Sequence, residues 1–148
     1  MKVQPPKFIE LAGEINSQMP KFVVNKVSNA LNDVKKSVNG STILVLGVSY
    51  KRDIDDTRES PALDIISLLK QKGAKVFYHD PYVNILHENG ITMKSKPLTP
   101  KSLGDADCVI IATDHSEFDY KFVTKHSKII VDTRNATNGI KSKKITRL

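Results

Sequence analysis

The stretch Ile43-Leu44-Val45-Leu46-Gly47-Val48-Ser49-Tyr50-Lys51-Arg52-Asp53-Ile54-Asp55-Asp56-Thr57-Arg58-Glu59-Ser60-Pro61 decides how this 148-residue chain is read. It starts as an unbroken apolar run, stops at a glycine and turns densely charged. At Ser60-Pro61 a new apolar periodicity begins. A continuous apolar run of this length predicts a strand buried on both faces. The charged segment predicts a long exposed loop. Ser60 is a natural N-cap, because its hydroxyl can accept a free amide of the first helical turn. Pro61 suits the first helical position, where a missing N–H costs nothing. Lys51, Arg52 and Arg58 therefore lie in a loop beside a helix N-terminus, a setting that favours anions.

Upstream, Phe8, Leu11, Ala12, Ile15, Met19, Phe22, Val23, Ala30, Leu31 and Val34 recur at three- and four-residue spacing. This predicts a helical segment over 7–38 with one apolar stripe. Pro20 is expected to split it into two helices or to kink it sharply near Ser17 to Pro20, and Asn39-Gly40 to stop it. Downstream, the strand over 42–47 is followed by a helix over 61–72 ending at Gly73, a strand over Lys75–His79, and a turn at Asp80-Pro81. Residues 84–88 read as one helical turn, 91–93 as a brief strand, and 97–103 as irregular or briefly helical. A strand over 108–112 precedes a helix running to about Lys125, with Ser116 and Asp119 as its capping box. A last clear strand covers 128–132, with room for an edge strand in the tail from Ile140.

Alternating strands and helices predict an α/β fold. The expected form is a Rossmann-like parallel sheet with helices on both faces, preceded by an N-terminal helical segment. Residues 1–40 form that segment, a linker or dimer helix, and 41–148 form the α/β domain. Ligands of such sheets sit beyond the carboxyl ends of the strands, where strand order reverses. Those ends are Gly47, His79-Asp80, Thr113-Asp114 and Thr133-Arg134. The fold thus gathers Lys51, Arg58 and Arg134 at one edge.

Hydrophobic content of 39% with 26% charged residues fits a folded globular domain and argues against disorder. The net charge of +7 reads most simply as solvated surface. No zinc spacing, stacking-aromatic motif or recognition-helix pattern supports a nucleic-acid partner. No apolar run approaches the ~18 residues of a membrane helix. The lone cysteine, Cys108, excludes an internal disulfide framework and fits a reducing, cytoplasmic setting. His79, His87, His115 and His126 show no metal-ligand spacing, so no metal is expected. His115 reads as a residue that orients the loop after the 108–112 strand.

The dinucleotide fingerprint G-x-G-x-x-G is absent. After Gly47 come Val48, Ser49 and Tyr50, whose side chains obstruct a pyrophosphate. Asp80 stands where Rossmann domains keep a ribose-binding acid, though an Asp-Pro turn explains it as well. Cys108 lies inside an apolar strand and reads as a buried small hydrophobe. Lys51 can neutralise a phosphate, Tyr50 can wall or stack on a ligand, and Arg134 can grip phosphate with its planar fork. Asp55, Asp56 and Glu59 read as acids that orient these cations.

Gly47-Val48-Ser49-Tyr50-Lys51, Asp56-Thr57-Arg58-Glu59-Ser60-Pro61, Gly73-Ala74, Asp80-Pro81-Tyr82, Thr113-Asp114-His115 and Asp132-Thr133-Arg134-Asn135 occur in that order. Together they resemble the C-terminal, UDP-binding domain of the UDP-glucose/GDP-mannose dehydrogenase family. The last two motifs look more like the UDP-N-acetylhexosamine branch. The resemblance implies substrate binding by Tyr50, Lys51 and Arg134, and contact of Arg58 with NAD held mainly by a missing N-terminal dinucleotide-binding domain. It further implies oxidation of a sugar C6 alcohol to a carboxylate with two NAD, and a homodimer built on the middle helices. The family's nucleophilic cysteine lies upstream of anything present, so no residue here is assigned as catalytic. Two other readings stand beside it: a free-standing nucleotide-binding regulatory module, and a dimerisation or interaction module without ligand.

Overall fold

A computed structural model of the chain describes residues 7–148, with side chains from residue 18 onward. In chain order the elements are α1 (Lys7–Asp33), β1 (Thr42–Leu46), α2 (Pro61–Gln71), β2 (Lys75–His79), β3 (Ile85–Glu88), β4 (Ile91–Lys94), α3 (Pro100–Asp105), β5 (Cys108–Ile111), α4 (Tyr120–His126), β6 (Ile130–Asp132) and β7 (Ile145–Arg147). Five strands form one sheet in the order β2-β1-β5-β6-β7, with every neighbouring pair parallel. In the centre Val45 stands opposite Tyr78 on one side and Ile110 on the other. Alternation along the strands divides the apolar residues between two faces. Ile43, Val45, Cys108, Ile110 and Val131 pack with Val27 and Leu31 of α1 and Ile66 and Leu69 of α2. Leu44, Leu46, Val109, Ile111 and Ile130 pack with Leu103 of α3 and Val123 of α4. The sheet is therefore covered on both sides, as the apolar runs require.

Several local expectations are corrected. Helix α1 is one element that runs through Pro20. The proline removes its own N–H bond, but Val23, Val24, Val27 and Leu31 just beyond it are buried and hold the helix onto α2 and the sheet. The apolar stripe is narrower than its spacing suggests, because Met19, Phe22 and Val34 are exposed; the side chains of Phe8, Leu11, Ala12 and Ile15 lie outside the described residues. The helix stops at Asp33, not near Asn39-Gly40. Lys35 takes the left-handed conformation (φ 63°), and Lys36 N bonds Leu31 O while Lys35 N bonds Asn32 O, a Schellman closure that does not use glycine. Residues 84–88 are not a helical turn. They contain β3, which pairs antiparallel with β4 across Asn89 (φ 51°) and Gly90 (φ 77°), the conformation of a type I′ hairpin. Helix α4 is capped by Asp119, which accepts from Lys121 N and Phe122 N, while Ser116 bonds Asp53 instead.

Strand order reverses between β1 and β5, and Gly47 lies at that point. Its φ is +84°, and a Cβ there would stand 2.4 Å from Thr113 Cβ and 2.6 Å from Thr113 O. The loop leaving β1 lies directly against the chain leaving β5. Gly90 has a similar φ but open space around it. Gly47→Ala should cost more than the ~1–2 kcal/mol of the left-handed conformation alone, and Gly90→Ala no more than that. Urea unfolding of both variants checks this; equal losses would show that the contact with Thr113 relaxes freely.

Strand β6 ends in Asp132, which is buried. Its Oδ1 accepts from Arg134 N at 3.0 Å and Ala136 N at 3.2 Å, and its Oδ2 from Thr137 N at 2.9 Å and Thr137 Oγ1 at 2.6 Å. Burial pushes the carboxyl up, but the Thr137 hydroxyl and the amides together outweigh it and hold the group below its ordinary value. Asp132→Asn keeps one acceptor oxygen and turns an NH2 towards two donors. We expect it to lose on the order of 1–3 kcal/mol at neutral pH. A carboxyl depressed on folding stabilises above its unfolded value near ~3.9 and loses that contribution as pH falls through the folded one. The gap between variant and parent should therefore narrow on acidification. Urea midpoints at neutral and strongly acid pH measure it, and a constant gap would remove the charge from the account.

Candidate functional site

Beyond Gly47 the chain turns outward through residues 48–60, and side chains from two other strand ends pin it. Asp80, at the end of β2, accepts from Val48 N at 2.8 Å, Tyr82 N at 2.8 Å and His115 Nε2 at 2.9 Å. Burial raises its carboxyl, and the bonds from His115, Val48 and Tyr82 bring it below the usual range. The Asp-Pro turn expected from sequence is there, but the same carboxylate also anchors the β1 loop. With both oxygens engaged and the side chain fully buried, it has no edge left for a ribose. Ser49 O accepts from Thr113 Oγ1 at 2.9 Å and from Ser60 Oγ at 3.2 Å. Tyr50 N bonds Asp56 O at 2.7 Å. Arg52 pairs with Asp114, so the third cation of the loop is spent on holding it.

Arg134 follows β6 on the turn that Asp132 organises. Its Nε donates to Ala112 O at 2.9 Å, which fixes one edge of the guanidinium at the end of β5. Tyr50, Lys51 and Arg134 then line a single cleft of about 530 Å³. Met19 and Pro20 of α1, Glu59, Pro61 and Asp64 complete its wall. Arg58 is not part of it. With Tyr50, Asp56 and Glu59 it borders a neighbouring hollow of about 400 Å³. Its Nε and Nη2 grip Asp56 at 3.1 and 3.0 Å, and this bond holds the Asp56 carboxyl below its ordinary value. The expectation that Asp56 orients a cation is met in this pair.

Ser60 is the N-cap of α2 and Pro61 its first residue. Ala62 N is taken by Ser60 Oγ and Leu63 N by Ser60 O. The helix start therefore offers few open donors, and Asp64 stands in its first turn. Among the expected cations, Lys51 and Arg134 line the cleft beside this helix start. Cys108 is fully buried on β5, and burial pushes its thiol up to about 12, which keeps it protonated and inert. Among the described residues, no group of three or more His, Cys, Asp or Glu is placed to hold a metal. Nor is any helix among them long and apolar enough to cross a membrane.

The edge of β1 and β5 does not suit a dinucleotide. The close approach that Gly47 permits is used by Thr113, and the acid at the end of β2 is consumed internally. Glu59, read from sequence as an acid that orients the cations, does line the cleft with them; sequence reasoning missed the α1 wall and the second carboxylate, Asp64. It also missed the clamps made by Asp53, Thr113, Ser116 and Thr137. Of the clamps only Thr113 lies inside a family motif, and the partners of Thr113, Asp53 and Ser116 lie more than sixty positions away.

The chain matches the description "UDP-glucose/GDP-mannose dehydrogenase family, UDP binding domain" over residues 44–139. A UDP-N-acetyl-D-mannosamine dehydrogenase of Methanococcus vannielii is 30% identical over 145 residues, which cover 93% of this chain and 32% of that protein. The solved structure of the UDP-D-ManNAc dehydrogenase of Pyrococcus horikoshii superposes with a TM-score of 0.80 at 29% identity, covering 97% of this chain and 34% of its own. The UDP-N-acetyl-mannosamine dehydrogenase of Staphylococcus aureus does so with a TM-score of 0.74 at 32% identity, covering 98% and 34%. The chain thus spans about a third of the length of these relatives. From within β1 to the turn beyond β6, it belongs to the UDP-glucose/GDP-mannose dehydrogenase family as that family's UDP binding domain.

Proposed function

We propose that the chain is the UDP-sugar-binding part of an NAD-dependent UDP-sugar 6-dehydrogenase, acting on a UDP-N-acetylhexosamine. The observation that carries this reading is the cleft in which Tyr50, Lys51 and Arg134 meet from the loops after β1 and β6. Lys51 and Arg134 take the diphosphate, Arg134 through its planar fork, and Tyr50 walls the ligand. Two carboxylates, Glu59 and Asp64, share the cleft with the two cations. A bare polyanion such as a nucleic-acid backbone finds no net attraction there. A ligand with both phosphates and hydroxyls is matched, because carboxylates accept from hydroxyls. The names of the relatives favour an N-acetylated hexosamine over glucose. NAD supplies the hydride acceptor in such an enzyme and is held there mainly by an N-terminal dinucleotide-binding domain. Arg58, beside the cleft and turned outward, is the residue we assign to contact with NAD on an N-terminal dinucleotide-binding domain. The exposed Met19 and Phe22 of α1 support a homodimer formed on that helix.

Calorimetry with UDP tests the cleft. Lys51→Ala and Arg134→Ala should each weaken binding by on the order of 1.5–3 kcal/mol, the loss of a charge-assisted hydrogen bond, with the unfolding midpoint unchanged for Lys51→Ala and slightly lowered for Arg134→Ala, which also gives up its bond to Ala112 O. Arg58→Ala should leave UDP affinity near that of the parent. Full affinity in both Lys51 and Arg134 variants would remove the site, and a large loss at Arg58 would reverse the division of the cations.

The chain alone should bind without chemistry. Mixed with UDP-N-acetylglucosamine and NAD it should produce no NADH absorbance, and Cys108→Ser should change nothing. Turnover that survives that substitution would mean that another residue of the chain is catalytic; turnover lost with it would mean that Cys108 is reachable.

A further inference from the structure

We infer that His115 is a positioning residue for the nucleotide cleft, holding the Tyr50–Lys51 segment in place through the backbone amide of Asp53. The inference rests on the reading of that cleft as a UDP-sugar site. His115 is fully buried, and its ring nitrogens meet three residues. Asp53 N donates to its Nδ1 at 2.9 Å. Its Nε2 lies 2.9 Å from Asp80 Oδ2 and 3.2 Å from Ser49 Oγ. An N–H can be accepted only by a bare ring nitrogen, so Nδ1 carries no proton and Nε2 carries one. That proton goes to the Asp80 carboxylate. The two nitrogens thus act in opposite senses, Nδ1 restraining the loop and Nε2 tying the ring to the end of β2.

The ring cannot turn. Tyr82 packs on it with centroids 4.9 Å apart and Phe118 at 5.5 Å, and the residue's own carbonyl accepts from Tyr120 Oη at 3.0 Å. The loop it restrains contains no helix or strand. Asp53 is left-handed, with φ 64°, a conformation a non-glycine residue holds only when its surroundings impose it. Its carboxylate accepts from Ser116 N at 2.8 Å and Ser116 Oγ at 2.6 Å. At the other end Ser49 Oγ donates to Lys51 O at 2.7 Å, and Ser49 O is held by Thr113. Tyr50 and Lys51 therefore span two fixed points, Ser49 and Asp53, both fastened to the chain after β5. An aromatic ring without nitrogens fills the same volume but leaves the Asp53 amide and the buried Asp80 carboxylate each short of a partner. That separates a positioning role from plain packing.

Two amide substitutions divide the two roles. In His115→Asn the amide oxygen falls near the place of Nδ1, so the Asp53 amide keeps its acceptor and Asp80 loses its donor. In His115→Gln the amide nitrogen falls near the place of Nε2, so Asp80 keeps its donor and the Asp53 amide loses its acceptor. UDP-N-acetylglucosamine binding by calorimetry and thermal unfolding are measured on the 148-residue chain and both variants. The orders should cross: His115→Gln loses about tenfold in affinity, near the upper range of one hydrogen bond, yet melts closer to the parent, while His115→Asn melts lower yet binds within about threefold. Affinity that follows stability instead, with His115→Asn the weaker binder, overturns the inference. Long-range proton–nitrogen spectra of the unsubstituted chain give a reading independent of variant folding. A neutral ring protonated on Nε2, with a slowly exchanging Asp53 amide, is expected, and a ring protonated on Nδ1 overturns it. Absence of binding in the unsubstituted chain overturns the cleft reading and this assignment with it, whereas binding with the wrong order overturns only the role of His115.

Discussion

The backbone of residue 47 lies so close to Thr113 that no side chain fits between them, and the position of the site follows from this contact. In an open parallel sheet the crevice beyond strands of reversed order is where a nucleotide usually lies. Here that crevice is closed by protein. The loop leaving β1 fastens to the end of β5 through the Thr113 hydroxyl and then has to turn outward. The cleft is consequently moved off the sheet edge into a space bounded by this loop, the start of α2, the loop after β6 and the side of α1. One steric constraint explains both why the sheet edge does not suit a dinucleotide and why a helix that precedes the sheet in sequence helps to wall the site.

Charge is divided by depth. The acids at strand ends, Asp80 and Asp132, are buried and bind the loops by accepting amide and hydroxyl hydrogens. A buried carboxylate is tolerable only when its lone pairs are filled in this way. The cations that face the cleft are exposed. Had the acids paired with Lys51 and Arg134 instead, the loops would lose their anchors and the cations their availability to a ligand. The arrangement resolves both demands with amide donors for the acids and solvent for the bases.

The strands β1 and β5 were legible because four consecutive apolar residues in each are buried, and β2 because buried Val76 and Tyr78 alternate with exposed Lys75 and Phe77; for β7 the sequence offered only room for an edge strand in the tail. The β3–β4 hairpin was not, since only Leu86 and Ile91 of its eight residues are buried and alternation that weak is easily read as a helical turn. The signal that outranks it, Asn89-Gly90, was local and readable. The end of α1 had no such signal, because Lys35 adopts the left-handed conformation without being glycine. Gly40 serves the next turn, where its amide bonds Gly73 O. Ser116 was misread as a cap for a different reason: its partner, Asp53, lies 63 positions away, and tertiary contacts of that kind leave no local pattern. The cations of the site were legible because strand ends converge whatever the side chains do. Asp64, Met19 and Pro20 join them only through packing.

Arg58 and Arg134 show why residue type alone does not assign a role. Arg134 is held by its Nε to a backbone carbonyl at the end of a central strand, which orients the fork in advance and spares a ligand the entropy of ordering it. Arg58 is mostly exposed and bonded through Nε and Nη2 to Asp56 two residues away. An exposed ion pair of that sort contributes little and is readily exchanged. Under the proposed function, a ligand entering the cleft meets Arg134 already aimed, while Arg58 borders a hollow of its own. In the proposed enzyme that hollow faces a second domain. What separates Arg58 from Lys51 and Arg134 is therefore its place at a different hollow rather than the strength of its pair with Asp56.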